Sequence, residues 1–391
     1  MTGSLPLPAG FRAYVTNVGI KDHTDDFVVV AADRPCAAAG LFTRSSFAGA
    51  SVVVSRANLG KADATTRSAQ AIVVISKNAN VATGTEGLDN AREVVDGVAR
   101  AIGADPADVL IASTGVIGRQ YPMAVVRAGL ATIPSPLPST DAAAVARGIM
   151  TTDTVPKTAE ATVGPARIVG VAKGVGMIEP DMATLITLLF TDAAVAPDAL
   201  DGIFRRVIDR TFNCVSVDTD TSTSDTAIVL ASGVAGEVDL AAFEAALFDV
   251  ALSLTQQVAR DGEGAEKLIE VEVRGGADDA QAKRIAKAIV NSPLVKTAVH
   301  GADPNWGRVA MAIGKASTTD EIDQRCVQIA FGAQEVYPAQ VDAAGLDALA
   351  NYMRGDTVQI RVHLHAGDAT ATVWGCDLTD GYVRINADYT T

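Results

Sequence analysis

The stretch GVGMIEPDMATLITLLFTDA, residues 174–193, changes character at its middle. Gly174, Gly176 and Pro180 punctuate its first half and an apolar, β-type run fills its second, so a tight turn feeding a buried strand is expected, with Thr184 at the junction. A β-branched residue at a strand start has few competing χ1 states and a firm mount. Its hydroxyl is a poor nucleophile unless a base adjoins it, and one such base is its own α-amine, freed if the chain is cut just before it. A strained turn would let Thr184 Oγ attack the carbonyl of the small Ala183, shift the acyl chain from nitrogen to oxygen and leave an ester for water. A threonine opening a strand is also simply common, and on this pattern alone that plainer reading leads.

Working outward, the runs at 28–32, 51–55 and 71–76 are Val/Ile-rich and bounded by turn residues, and are predicted as strands. Residues 88–102 carry a helical pattern, and 108–114 (DVLIAST) read as a strand leaving at Gly115. Beyond Thr184 a strand is followed by helices near 199–212 and 240–259, an alternating strand at 267–274, an amphipathic helix at 280–291, and a late hairpin formed by 358–365 and 371–376. The order is that of an α/β (α+β) fold. No repeat at solenoid periods and no Gly/Ser- or Pro-rich linker divides the chain, and IPSPLPSTD at 133–141 reads as a surface loop.

With 391 residues a large core can be buried, and 48% apolar against 20% charged residues is a globular balance. The net charge of −14 argues against a nucleic-acid surface and against an anionic membrane, and the start of the chain lacks a basic region followed by an apolar one. A cytoplasmic protein is expected. Cys36, Cys214, Cys326 and Cys376 form no CxxC pair, so reduced, packed thiols are expected rather than a zinc ribbon or a dithiol redox site.

Five separated stretches carry a more specific signal: STGVIG at 113–118, IMTTDTVPK at 149–157, AKGVGMIEPDMATLI at 172–186, DTDTSTSDT at 218–226 and SPLVKTAVHGADPNWGR at 292–308. Together they resemble the ornithine acetyltransferase family, also called the glutamate N-acetyltransferases of the cyclic arginine pathway, over essentially the whole chain. The resemblance implies an ArgJ/DmpA-like fold of mixed β-sheets sandwiched by helices. It also implies self-cleavage between Ala183 and Thr184 into an α chain (1–183) and a β chain (184–391) that share one core and pair into a dimer of αβ units. Thr184 would then carry the acetyl group of N-acetylornithine as an ester and pass it to glutamate, with no cofactor and no metal.

The same resemblance supplies roles for further residues. Thr114 and Gly115 match the pair that stabilises the tetrahedral intermediate's negative oxygen; otherwise they are a strand-to-turn exit. Lys173 fits the cation expected for an α-carboxylate, its plain alternative being a solvated surface lysine. Glu263 in RDGEGAEK matches the acidic substrate-binding position for ornithine's distal ammonium, or else is a helix-end surface charge. Thr151 matches a substrate-binding threonine, with neighbouring Thr152 equally open and capping the alternative for both. Asn386 and Thr391 match a pattern in which the chain's end reaches the site.

Other signals carry less. KGVGM lacks the third glycine and the following helix of a dinucleotide fingerprint. His363 and His365 share a strand face without a third ligand nearby, His300 is superfluous as a base if the Thr184 amine serves, and residues 305–308 are expected to shape a turn and helix start near the site. DTSTSD at 220–225 lacks the spacing of a calcium loop and reads as a structural turn beside the site. Lys77 stands where relatives usually have Gly, Glu179 and Asp181 where other polar residues are frequent, and Ser224 where Asn is, which resembles a branch found beside antibiotic-cluster genes and leaves the acyl acceptor and a second acyl donor open. A hydrolase using the same nucleophile and an uncut small-molecule binder are the competing readings.

Overall fold

Strand segments dominated by Val, Ile, Leu and Ala bury both faces, and the centre of the first sheet is built largely of such runs, IVVI at 72–75 and VLIA at 109–112 among them. In the computed structural model, which describes residues 5–21, 23–60, 67–179 and 185–388, the N-terminal strands are β1 (Phe11–Thr16), β2 (Phe27–Phe42), β3 (Ser68–Ile75), β4 (Val109–Ser113), β5 (Lys157–Val163) and β6 (Ala166–Lys173). The C-terminal part adds β7 (Ile186–Ala194), β8 (Val215–Ser216), β9 (Thr226–Glu237), β10 (Leu268–Gly276), β11 (Gln328–Phe331), β12 (Gln334–Tyr337), β13 (Thr357–His363) and β14 (Ala369–Cys376). The helices are α1 (Ala50–Gly60), α2 (Gly84–Ile102), α3 (Met123–Leu130), α4 (Ala142–Gly148), α5 (Pro197–Arg210), α6 (Leu240–Arg260), α7 (Asp279–Val290), α8 (Pro293–His300), α9 (Trp306–Lys315), α10 (Ala343–Met353) and α11 (Asp380–Asp388).

The first sheet runs β4-β3-β2-β9-β7-β6-β5, with β1 paired to β2. β3 illustrates its packing: Ile72 and Val74 enter one core, and Ala71, Val73 and Ile75 enter the other beneath α1 and α2. Each fully buried Val or Ile of this kind contributes roughly 1.5–3 kcal/mol. On the β6/β7/β9 half, Ile168, Leu189 and Val229 meet α5 and α6, and the same cluster continues into the second sheet through Ile269, Val271 and Val273. That sheet runs β12-β11-β13-β10-β14-β8, with α7 packed on β10 and β14. Both sheets mix parallel and antiparallel pairs and both are covered by helices, as the α/β reading requires.

Three expectations are corrected. Residues 51–55 are helical, inside α1: Val52 and Val54 are buried, Val53 faces outward, and the Ser55 hydroxyl donates to Ile111 O and accepts from Ile111 N, both at 2.7 Å. A run of three valines costs a helix only tenths of a kcal/mol per residue, so docking onto β4 decides. Residues 358–365 and 371–376 do not form a hairpin, because β10 lies between them, parallel to β13 and antiparallel to β14. A central strand must satisfy the backbone groups on both its edges, which local sequence does not reveal. Of the four thiols, Cys36, Cys214 and Cys376 are buried but Cys326, in the turn before β11, is exposed. Among the described residues no helix is long and apolar enough to cross a membrane.

Candidate functional site

A cavity of about 120 Å³ opens where the ends of β4 and β6 meet the loop before β9, the α6–β10 connection and α11, and its walls include Thr114, Gly115, Thr151, Lys173, Glu263 and Asn386. Six residues singled out from sequence positions up to 272 apart (386 − 114) thus come together. Ala183, Thr184 and Thr391, together with Pro180 and Asp181, lie outside the described residues. Leu185, immediately after Thr184, is buried and accepts from Thr226 N at 2.9 Å, and the register continues with Ile186 opposite both Lys173 and Thr226.

Thr114 continues the β4 ladder through its N–H to Ile75 O at 3.0 Å, and Gly115 then turns the chain with φ 126°. A Cβ there would lie 2.3 Å from the Lys77 carbonyl carbon and 2.6 Å from Asn78 N, so no other residue fits without moving backbone. Neither the Thr114 hydroxyl nor the Gly115 N–H has a hydrogen-bond partner among the described residues. Adjacent free donors at a strand end are what an oxygen gaining negative charge in an acyl addition requires.

The opposite wall is polar. Lys173, the last residue of β6, donates from Nζ to Thr151 Oγ1 at 3.2 Å, and Thr152 Oγ1 donates to Glu263 Oε1 at 3.2 Å, so both threonines are engaged. Asn386 Nδ2 reaches the other Glu263 oxygen at 2.9 Å from α11, so the C-terminal region is tied down rather than frayed as far as that residue. Glu263 is seated by its own N–H on Val175 O at 2.8 Å, and Gly176 leaves room for its carboxylate, since a Cβ there would sit 2.5 Å from Glu263 Oε2 and push it aside. Burial lowers the Lys173 pKa, with Lys157 adding to the fall and Asp153 opposing it. Lys77 is lowered too, again by burial first, and its Nζ caps Met150 O.

Beneath this wall lies a device that sequence reading missed. The fully buried Lys157 ammonium bridges Asp153 at 2.7 Å and Asp261 at 2.6 Å, while Asp153 also accepts from Gly174 N at 2.7 Å and Thr151 N at 3.0 Å. Burial pushes the Asp153 carboxyl up, but Lys173, Lys157 and those hydrogen bonds outweigh it and hold the group below the usual carboxylate range. One carboxylate therefore fixes both Thr151 and the turn after Lys173. Asp153 and Lys157 stand four apart inside IMTTDTVPK, a spacing that suggests a pair, but nothing local says that both are buried or that Asp261 joins them.

Ser222, Thr223 and Ser224 line the cavity, in keeping with a structural turn beside the site. Asn305 caps α9 as expected, but Trp306 lines a separate cavity of about 690 Å³ and stacks on Tyr337, with ring centroids 4.9 Å apart. The α8–α9 pair belongs to the second sheet's layer, which carries this motif away from the expected place. His300 pairs with Asp377 at 3.1 Å and lies 3.6 Å from Glu266, outside the lining of the small cavity.

The fold and the cavity define a mixed α/β protein whose small polar pocket presents, among the described residues, an ammonium, a carboxylate and two donors without a partner. The chain belongs to the ArgJ family, whose model matches residues 12–391. It is 55% identical over 398 residues to a glutamate N-acetyltransferase, Oat2, of Streptomyces clavuligerus, covering all of both chains. It is also 55% identical over 384 residues to an arginine biosynthesis bifunctional protein, ArgJ 2, of a Nostoc species, covering 98% of each. A crystal structure of an ArgJ protein from Bacillus halodurans is 43% identical, with a TM-score of 0.48, over 51% of this chain and 96% of that one.

Proposed function

We propose that this protein is a glutamate N-acetyltransferase that moves the acetyl group of N2-acetyl-L-ornithine to L-glutamate through an ester on Thr184, after cutting itself between Ala183 and Thr184. The family match over residues 12–391 and the identity to a glutamate N-acetyltransferase support the activity. The observation that carries the mechanism is the convergence of Thr114, Gly115, Thr151, Lys173, Glu263 and Asn386 on one cavity at the strand ends beside Leu185.

Maturation is an N-to-O acyl shift. Thr184 Oγ adds to the Ala183 carbonyl, the C–N bond breaks, and the threonine nitrogen takes the proton; water then hydrolyses the ester, leaving the Ala183 carboxylate and a free Thr184 amine. In turnover that amine removes the hydroxyl proton as Oγ attacks the acetyl carbonyl of acetylornithine. The Thr114 hydroxyl and Gly115 N–H hold the negative oxygen. Ornithine leaves with the proton, and glutamate's amine takes the acetyl group in the reverse sequence. Lys173 pairs with the substrate α-carboxylate, while Glu263, steadied by Thr152 and Asn386, faces the distal ammonium. Thr151 orients Lys173, and Thr391 completes the site. The products of maturation, 1–183 and 184–391, assemble as a dimer of αβ units in the cytoplasm.

The test is incubation of acetylornithine with the purified protein, with and without glutamate. Acetylglutamate formed in step with ornithine is expected. Equal ornithine release in both tubes would instead identify a hydrolase. The Thr184→Ala variant should remain a single chain in mass spectrometry; a cut at 183/184 in that variant rules out self-processing.

A further inference from the structure

The turn that precedes residues 180–184 is pinned at five of the six backbone N–H and C=O groups of residues 177–179 by one short segment, 217–221. Asp218 receives two consecutive N–H groups, Met177 N on Oδ2 at 2.7 Å and Ile178 N on Oδ1 at 2.8 Å. Ile178 O accepts from Val217 N at 2.7 Å, Glu179 N donates to Asp220 O at 2.9 Å, and Glu179 O accepts from Thr221 Oγ1 at 3.0 Å. The Glu179 side chain is held as well, by Ser216 Oγ at 3.2 Å, by Asn291 Nδ2 at 2.5 Å and by Lys287 at 3.5 Å.

This fastening works against a conformational preference. Met177 has φ 56°, the left-handed region that a side chain with a Cβ avoids, so the turn is one the chain would leave if released. Two charge-assisted hydrogen bonds from adjacent N–H groups to one carboxylate are the strongest contact it makes, and they straddle the strained residue's own peptide. On the far side of residues 180–184, Leu185 is locked in the sheet by Thr226. Met177 lines the small cavity, but the cavity's polar wall is held separately, by Asp153 and Glu263.

We propose that Asp218 is a positioning residue for self-cleavage: it holds Met177 in the left-handed turn and thereby sets the approach of the Thr184 hydroxyl to the Ala183 carbonyl, with Glu179 as a second fastening. The assignment rests on the self-cleavage reading above. Tyr382, whose hydroxyl lies 3.4 Å from Asp218 Oδ2 and whose pKa is pushed up to about 12 by burial and by Asp218 and Glu263, closes the outer side of the clamp.

Precursor made by cell-free translation and followed on denaturing gels reads the rate of cutting. Asp218→Asn keeps the shape but cannot accept both N–H groups, so precursor should disappear at least tenfold more slowly than wild type. Met177→Gly placed in the Asp218→Asn background should recover most of that loss, because glycine adopts φ 56° without being held. A merely structural role for Asp218 gives no such rescue. Once fully cut, the Asp218→Asn protein should transfer acetyl with kcat within threefold of wild type. Cutting of Asp218→Asn at the wild-type rate, or a double variant no faster than Asp218→Asn, overturns the clamp while leaving self-cleavage intact. Wild-type precursor that never cuts overturns both. If Asp218→Asn yields no folded protein, Glu179→Gln tests the second fastening, with slowed cutting expected and an unchanged rate counting against it.

Discussion

Gly115 shows how a single missing carbon builds a site. Its left-handed turn brings the backbone within contact of Lys77, itself at φ 76°, and leaves an N–H unpaired among the described residues beside the Thr114 hydroxyl. Gly115→Ala must shift one of these backbones, moving a donor that an intermediate's oxygen needs. We expect kcat for acetyl transfer to fall about 10²–10³-fold, the usual cost of one such donor, with KM changed little. Steady-state kinetics on the fully cut variant check this, and a loss confined to KM would place Gly115 in binding instead. Thr114 and Gly115 could be picked out through a motif, STGVIG, but not the reason for the glycine, because Lys77 lies 38 positions away (115 − 77).

The strands and loops around the cavity are aligned by the buried Asp153–Lys157–Asp261 triad, which ties the start of β5 to the end of α6 and to the turn after β6. Removing Lys157 takes away the cation that both carboxylates touch in the interior and leaves Asp153 only the more distant charge of Lys173. Lys157→Met is therefore expected to destabilise the fold by about 3–5 kcal/mol, measured by urea unfolding, and a loss under about 1 kcal/mol would show that the triad carries little. The pH dependence follows from Asp153. Its folded pKa lies below the unfolded value near 3.8, so its contribution is fully present above that value and is lost as pH falls through the folded one. In Asp153→Asn the stability difference from wild type should shrink on acidification below about pH 4. Elements of this kind were only partly legible. β7, α2, α5, α6 and α7 announce themselves by period, whereas α1 and the placement of β10 between β13 and β14 were misread because partners, not local pattern, select them.

Across the whole molecule, the strand order has a consequence for a chain cut at 183/184. β9 and β7, from the C-terminal half, lie between β2 and β6, from the N-terminal half, and six residue pairs join β2 to β9 and another six join β6 to β7. Neither half can leave without tearing two ladders and opening the core in which Leu189 and Val229 meet Ile168 and Ala39. The cut protein is thus expected to elute in native size-exclusion chromatography as one species at the position of the uncut Thr184→Ala variant, while a denaturing gel resolves two chains. Separation of the chains without denaturant would mean that this sheet is not what joins them.

The primary sequence alone was enough to mark residues 174–193 as a turn driving into a strand, to mark an α/β chain by its periods, and to name six residues that meet in one cavity, since motifs and periodicity are local properties. Tertiary structure alone decided that Lys157 is buried between two aspartates, that Asp218 grips Met177 and Ile178, and that two strands of one half lie inside the other. Burial and pairing over long separations depend on which surfaces the folded chain brings together, and no window of sequence contains both partners.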